Sequence, residues 1–80
     1  MGEVTIKLFA SLQQYLPPGS VRRQTRVALQ GETRVGDILA EWGVPRASTH
    51  LILVNGLSRS WETVIRDGDV VSVFPNVAGG

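Results

Sequence analysis

At 80 residues the chain has room for one domain built around one small hydrophobic core. Its 42% hydrophobic and 19% charged content excludes a disordered segment, and the absence of cysteine excludes disulfides, thiolate-held metal and any thiol chemistry of its own. A net charge of +1 argues against nucleic acid as a partner, because that calls for a strongly basic surface.

In chain order, Val4-Thr5-Ile6-Lys7-Leu8-Phe9 alternates with Val4, Ile6 and Leu8 on one face, as a half-buried strand does. Ala10 to Tyr15 reads as an irregular or short helical connection, stopped by Pro17-Pro18-Gly19. Arg22 to Leu29 reads as a second strand with Val27 and Leu29 pointing inward. Thr33 to Gly43 predicts a helix: Thr33 is placed to cap it, Val35, Ile38, Leu39 and Trp42 share one face, and Gly43 with Pro45 ends it. Leu51 to Val54 is apolar on both faces, which predicts a central strand, and Asn55-Gly56 then supplies a tight turn. Leu57 to Ile65 is looser, with room for a short strand around Ser60 to Val64. Arg66-Asp67-Gly68-Asp69 is a turn, and Val70 to Phe74 is the last strand.

One helix covers one face of a sheet, so this order predicts an α+β roll, and the ubiquitin-like β-grasp is the small fold that suits it. Nothing reads as a linker or a repeat. No apolar run approaches the roughly 20 residues that cross a bilayer, and the first residues lack a signal pattern, so the expectation is a soluble, cytoplasmic protein with no membrane partner.

With Val71 and Val73 in the core, Phe74 faces the other side of the sheet, which Thr5, Lys7 and Phe9 share. Two aromatics on an uncovered sheet face are either a binding patch or a pair that only packs together. The basic cluster Arg22, Arg23 and Arg26 faces either an acidic partner or, more commonly, solvent along an edge strand.

Groups for catalysis are sparse. His50 stands alone and reads as structural, since it offers neither a metal cluster nor a nucleophile–base pair. Asp37, Glu41, Glu62, Asp67 and Asp69 sit at a helix start, on a polar face or in turns, and Gly56 and Gly68 are isolated turn glycines rather than a phosphate loop. No catalytic residue, metal ligand or bound cofactor is assigned, and the chain is not expected to be an enzyme by itself. Its most unusual group is the Gly80 carboxylate. Gly79 and Gly80 carry no Cβ, so they can enter a narrow channel in another protein and leave the Gly80 carbonyl open to attack, with Pro75 stiffening the exit from the last strand. On diglycine alone, a frayed end is the favoured reading.

Several segments together resemble the MoaD/ThiS family of ubiquitin-like sulfur carriers, most closely its MoaD branch, the small subunits of molybdopterin synthase. They are Leu8-Phe9-Ala10, Thr33-Arg34-Val35-Gly36-Asp37, Val54-Asn55-Gly56, Asp67-Gly68-Asp69-Val70-Val71 and the ending Phe74-Pro75-Asn76-Val77-Ala78-Gly79-Gly80. The resemblance implies a single β-grasp sulfur-carrier domain over 1–80, with a flexible diglycine tail at 75–80. It implies that an adenylating activating enzyme (MoeB/ThiF-like) uses ATP on Gly80. A sulfur donor, such as a cysteine desulfurase or a rhodanese-type protein, then makes the Gly80 thiocarboxylate. Pro75, Asn76, Val77, Ala78 and Gly79 form the tail that enters an acceptor synthase (a MoaE-like large subunit) building molybdopterin for the molybdenum cofactor. Phe9 and Phe74 match positions of the family's docking face. Asn76 departs from the pattern, which often has a second proline there, and is expected to loosen the start of the tail. The competing readings are a ThiS-like carrier for thiamin thiazole synthesis or another sulfur-transfer pathway, a ubiquitin-like modifier conjugated through Gly80, and a plain interaction domain whose diglycine is incidental. The Ser11 to Val21 connection leans toward MoaD, and the sole lysine, Lys7, leaves little room for chain-building.

Overall fold

The computed structural model describes residues 2–76, so the expected tail residues Val77, Ala78, Gly79 and Gly80 lie outside the described residues. In chain order the elements are β1 (Gly2–Leu8), a 3-10 helix (Ala10–Tyr15), β2 (Gln24–Leu29), β3 (Thr33–Arg34) and α1 (Val35–Glu41). A second 3-10 helix (Arg46–Ser48), β4 (Thr49–Val54), β5 (Leu57–Arg59), β6 (Val64–Ile65) and β7 (Val70–Pro75) follow.

Alternation decides the sheet. Val4, Ile6 and Leu8 of β1 and Val71 and Val73 of β7 are at most 1% exposed. These two strands lie side by side and parallel, with Ile6 opposite Val71 and Leu8 opposite Val73. A parallel pair needs a crossover connection, and the chain between them supplies the helix that covers their inner face. Antiparallel β2 and β4 flank the pair, and β5 closes one edge, giving the order β2-β1-β7-β4-β5. Val35, Ile38 and Leu39 of α1 complete the core against Ile52, Val54 and the inner face of β1 and β7. The mixed sheet with one main helix on one face is the ubiquitin-like β-grasp.

The helix is shorter than its sequence pattern suggests, for reasons visible at both ends. Thr33 does not cap it: it pairs with Ile65 in a separate two-stranded ribbon of β3 and β6, and its Oγ1 donates to the Gly31 carbonyl. Instead the Asp37 carboxylate accepts the Arg34 N–H at 2.8 Å, while the carbonyls of Thr63 and Trp61 accept the N–H groups of Val35 and Gly36 at 2.9 and 2.8 Å. The loop before β6 thus takes up donors that the first helical turn leaves unpaired. It can come so close because residue 36 is glycine, where a Cβ would overlap the indole of Trp61. At the other end Gly43 adopts φ 83°, and the N–H groups of Gly43 and Val44 bond back to Ala40 and Leu39, a Schellman ending with Val44 buried.

Two further expectations are corrected. Arg22 and Arg23 are not in β2 but form a tight turn before it, closed by mutual hydrogen bonds between Val21 and Gln24. Ser60 to Thr63 is a turn, with strands on either side of it rather than within it. β4 lies inside the sheet between β7 and β5, as its sequence predicts, and is apolar on both sides because Ile52 and Val54 enter the core while Leu51 and Leu53 face outward.

Candidate functional site

Among the described residues no helix lies over the outer face of the sheet. Thr5 and Lys7 from β1, Val70, Ser72 and Phe74 from β7, and Leu51 and Leu53 from β4 point to this side, joined by Phe9 just past β1. The rings of Phe9 and Phe74 stack with centroids 4.4 Å apart and planes 12° apart. Both are partly exposed, and Leu51 stands opposite Phe74 across the β4–β7 ladder, so the pair continues into an apolar strip. Because β1 and β7 are parallel, Phe9 and Phe74 both fall at the end of the sheet from which the tail departs.

The sequence reading found the two phenylalanines but not Leu51 and Leu53 as their neighbours. The signal was present: Leu51 to Val54 alternates around two core positions, which sends the intervening leucines outward. It placed Arg23 in a basic cluster but not beside the aromatic pair, where its guanidinium carbon lies 5.8 Å from the Phe9 ring centroid. In the strand order β2-β1-β7, Phe9 sits between Arg23 and Phe74.

Pro75 and Asn76 are the tail residues that the structure describes. Pro75 still pairs with Thr49 in the β4–β7 ladder. Asn76 does not loosen the tail's start. Its N–H donates to the Ser48 carbonyl at 3.1 Å and its Nδ2 to the Ala47 carbonyl at 2.7 Å, extending the strand's hold by one residue. A proline here would lack that N–H. The carbonyls that hold Asn76 belong to the short helix Arg46–Ser48, itself fastened by an Arg46–Glu62 ion pair and by Arg46 over the Trp61 ring at 5.5 Å.

The opposite end of the sheet holds the turn motifs that carried the resemblance. Asn55 Nδ2 donates to Asp69 Oδ1 at 2.8 Å, its Oδ1 accepts the Val70 N–H at 2.9 Å, and its N–H donates to the Val70 carbonyl at 2.8 Å. Asp69 also accepts the Arg66 N–H, and Asp67 accepts the Glu3 N–H, at 2.8 and 2.9 Å. These acids are turn supports. His50 is exposed at an irregularity of the β4–β7 ladder. Among the described residues no cluster of His, Cys, Asp or Glu is arranged to hold a metal ion, and no helix is long and apolar enough to cross a membrane.

A mixed five-stranded sheet with one main helix on one face defines the ubiquitin-like class, whose small MoaD- and SAMP-like proteins are carriers or modifiers and not themselves catalysts. Within that class the chain belongs to the Mut7-C ubiquitin family, whose model matches residues 1–79. The resemblance to MoaD/ThiS proteins holds in the solved structures as well. A putative molybdopterin converting factor, subunit 1, from Pyrococcus furiosus is 28% identical over 96% of this chain and 100% of its own, with a TM-score of 0.69. SAMP1 from Haloferax volcanii is 31% identical over 99% of this chain and 100% of its own, with a TM-score of 0.70. Subunit 1 or 2 of a molybdopterin-converting factor complex from Helicobacter pylori shares the fold at 18% identity, over 98% and 99% of the two chains, with a TM-score of 0.59. No curated protein matches the sequence significantly.

Proposed function

We propose that this protein is a sulfur carrier that works through the Gly80 carboxyl group. An activating enzyme of the MoeB/ThiF kind would join the carboxylate to the α-phosphate of ATP, releasing pyrophosphate. The persulfide of a sulfur donor, a cysteine desulfurase or a rhodanese-type protein, would then displace AMP to form an acyl disulfide on Gly80. A second cysteine thiol, of the donor or the activating enzyme, would cleave it, leaving the Gly80 thiocarboxylate and a disulfide between the two cysteines. The acceptor is a MoaE-like large subunit that builds molybdopterin. The observation that carries this reading is the continuity of the outer face with the tail: Phe74, Pro75 and Asn76 lead without a break from the stacked aromatic pair to Val77, Ala78, Gly79 and Gly80. A partner that covers Phe9 and Phe74 would receive the tail at its edge. The converting-factor relatives support the molybdopterin acceptor. One observation favours a second reading: another Haloferax volcanii structure, of small archaeal modifier protein 1, is 24% identical, and SAMP1 at 31% identity matches over its full length, which supports a protein modifier conjugated through Gly80.

The test is intact-mass spectrometry after incubation with extract of the source cells, ATP and a sulfur donor. Exchange of one carboxylate oxygen for sulfur, localised to Gly80, supports the carrier. Gly80 joined to lysines of other proteins supports the modifier. Neither product with a demonstrably competent activating enzyme would overturn both.

A further inference from the structure

The seven acidic residues are Glu3, Glu32, Asp37, Glu41, Glu62, Asp67 and Asp69. None stands on the outer face at the tail end of the sheet. Glu3, the one carboxylate on that face, lies at the other end beside Arg26 at 3.8 Å, near the turns of Asp67 and Asp69. Lys7, Arg22 and Arg23 stand at the tail end, and none of them is within ion-pair distance of a carboxylate among the described residues. A net charge near zero therefore conceals an uneven outer face, whose tail end carries Lys7, Arg22 and Arg23 and no carboxylate.

The Arg22-Arg23 turn is an unlikely place for two arginines on local grounds. Both residues are left-handed, with φ of 53° and 64°, and this conformation costs a side-chain-bearing residue about 1–2 kcal/mol. A turn with both central residues at positive φ selects Asn-Gly, the pair this chain uses in the equivalent turn at Asn55-Gly56. The turn is also fixed in place, by the two Val21–Gln24 hydrogen bonds and by the Leu8 N–H donating to the Arg23 carbonyl at 2.9 Å. Arginine chemistry is thus held at a rigid corner against backbone preference. Beside it runs a groove of about 400 Å³ lined by Val21, Arg22, Gln24, Thr25 and Arg26, with Val21 64% exposed.

We propose that this corner is a docking site for an acidic protein segment, one that presents carboxylates to Arg22, Arg23 and Lys7 and an apolar side chain to Val21. Guanidinium groups take carboxylates in paired, planar contacts, which suits a fixed turn. Nucleic acid fits less well. Three unpaired cations neutralise few phosphates, and Phe9 lies between Phe74 and Arg23, which leaves its ring no free face for a base. A lipid surface calls for a cluster of about four to eight basic residues.

The probe is a decaglutamate peptide titrated into the isotope-labelled full chain at low salt, followed by amide and arginine side-chain NMR shifts. Decathymidylate and phosphatidylglycerol vesicles are titrated in parallel. The expected result is peptide-induced shifts concentrated at Lys7, Phe9, Val21, Arg22 and Arg23, lost in high salt. The double variant Arg22→Asn, Arg23→Gly should weaken peptide binding at least fivefold while leaving the melting temperature equal or higher, since Asn-Gly suits the turn. Shifts absent at the corner, or spread equally over Arg34, Arg59 and Arg66, would overturn the proposal. So would tighter binding of the oligonucleotide or the vesicles at the same residues, which would reassign the corner to nucleic acid or membrane. Because no activation step is involved, the result is independent of whether Gly80 carries sulfur.

Discussion

The two ends of the sheet use their polar groups in opposite ways. At the end where β7 begins, Asn55, Asp67 and Asp69 spend their side chains on backbone and on one another, tying two turns and the start of β1 into one hydrogen-bonded knot. At the end where β7 finishes, Lys7, Arg22 and Arg23 have no carboxylate partner among the described residues, and two phenylalanines lie partly exposed. The residues that make this chain look like its relatives at the first end are therefore holding up the fold. The groups left over for another molecule are gathered at the second end.

Substitutions can sharpen or break this contrast. The core between the ends sets the scale: Leu39→Ala, at a fully buried position, should lower stability by roughly 2–5 kcal/mol in a denaturant melt. At the knotted end, Asn55→Ala removes two side-chain hydrogen bonds and puts a Cβ-bearing residue without a turn-stabilising amide at φ 54°. The expected loss is about 1–3 kcal/mol with tail activation unchanged. At the tail end the pattern should invert. Phe74→Ala should cost only about 1 kcal/mol, the worth of its stacking and partial burial, yet slow tail activation at least tenfold. A melt showing Phe74→Ala as damaging as Leu39→Ala would make the ring a core residue and erase the contrast. Smallest of all is Asn76→Pro, at about 1 kcal/mol or less because both lost bonds are exposed. It should nonetheless shift the amide resonances of Ala47 and Ser48, and unmoved resonances would mean that the tail root is not tied there.

Legibility in the sequence followed the range of the forces involved. Alternation in β1 and β7 and the 3–4 spacing of Val35, Ile38, Leu39 and Trp42 are local records of which side meets the core, so the strands, the helix face and the outward turn of Phe74 could be read directly. The Arg22-Arg23 turn could not, because arginine carries no turn preference; the ladder to Leu8 and the Val21–Gln24 pairing impose it. Asn76 was misjudged for a related reason. Compared only with proline it looks like a loss of stiffness, but its partners at Ala47 and Ser48 come from a distant part of the chain, and no local pattern announces them. Gly36 stands between the two cases. It was legible as part of a motif, while the reason for it, the Trp61 indole, became visible only in three dimensions.

Lys7 gives the outer face a chemical address. It is the only lysine in the sequence, and it lies between Gln24 and Ser72 in the middle strands of that face. An amine-reactive dye, biotin or crosslinker added to the folded protein thus finds a single lysine side chain in this sequence. The rate of acylation at Lys7 becomes a single-site footprint of whatever covers the face. A crosslinker anchored there starts from a known point, so each bond it makes to a partner is a distance measured from one position on the outer face. The same geometry warns against immobilising the protein through its amines, since that would bury the surface under study against the support.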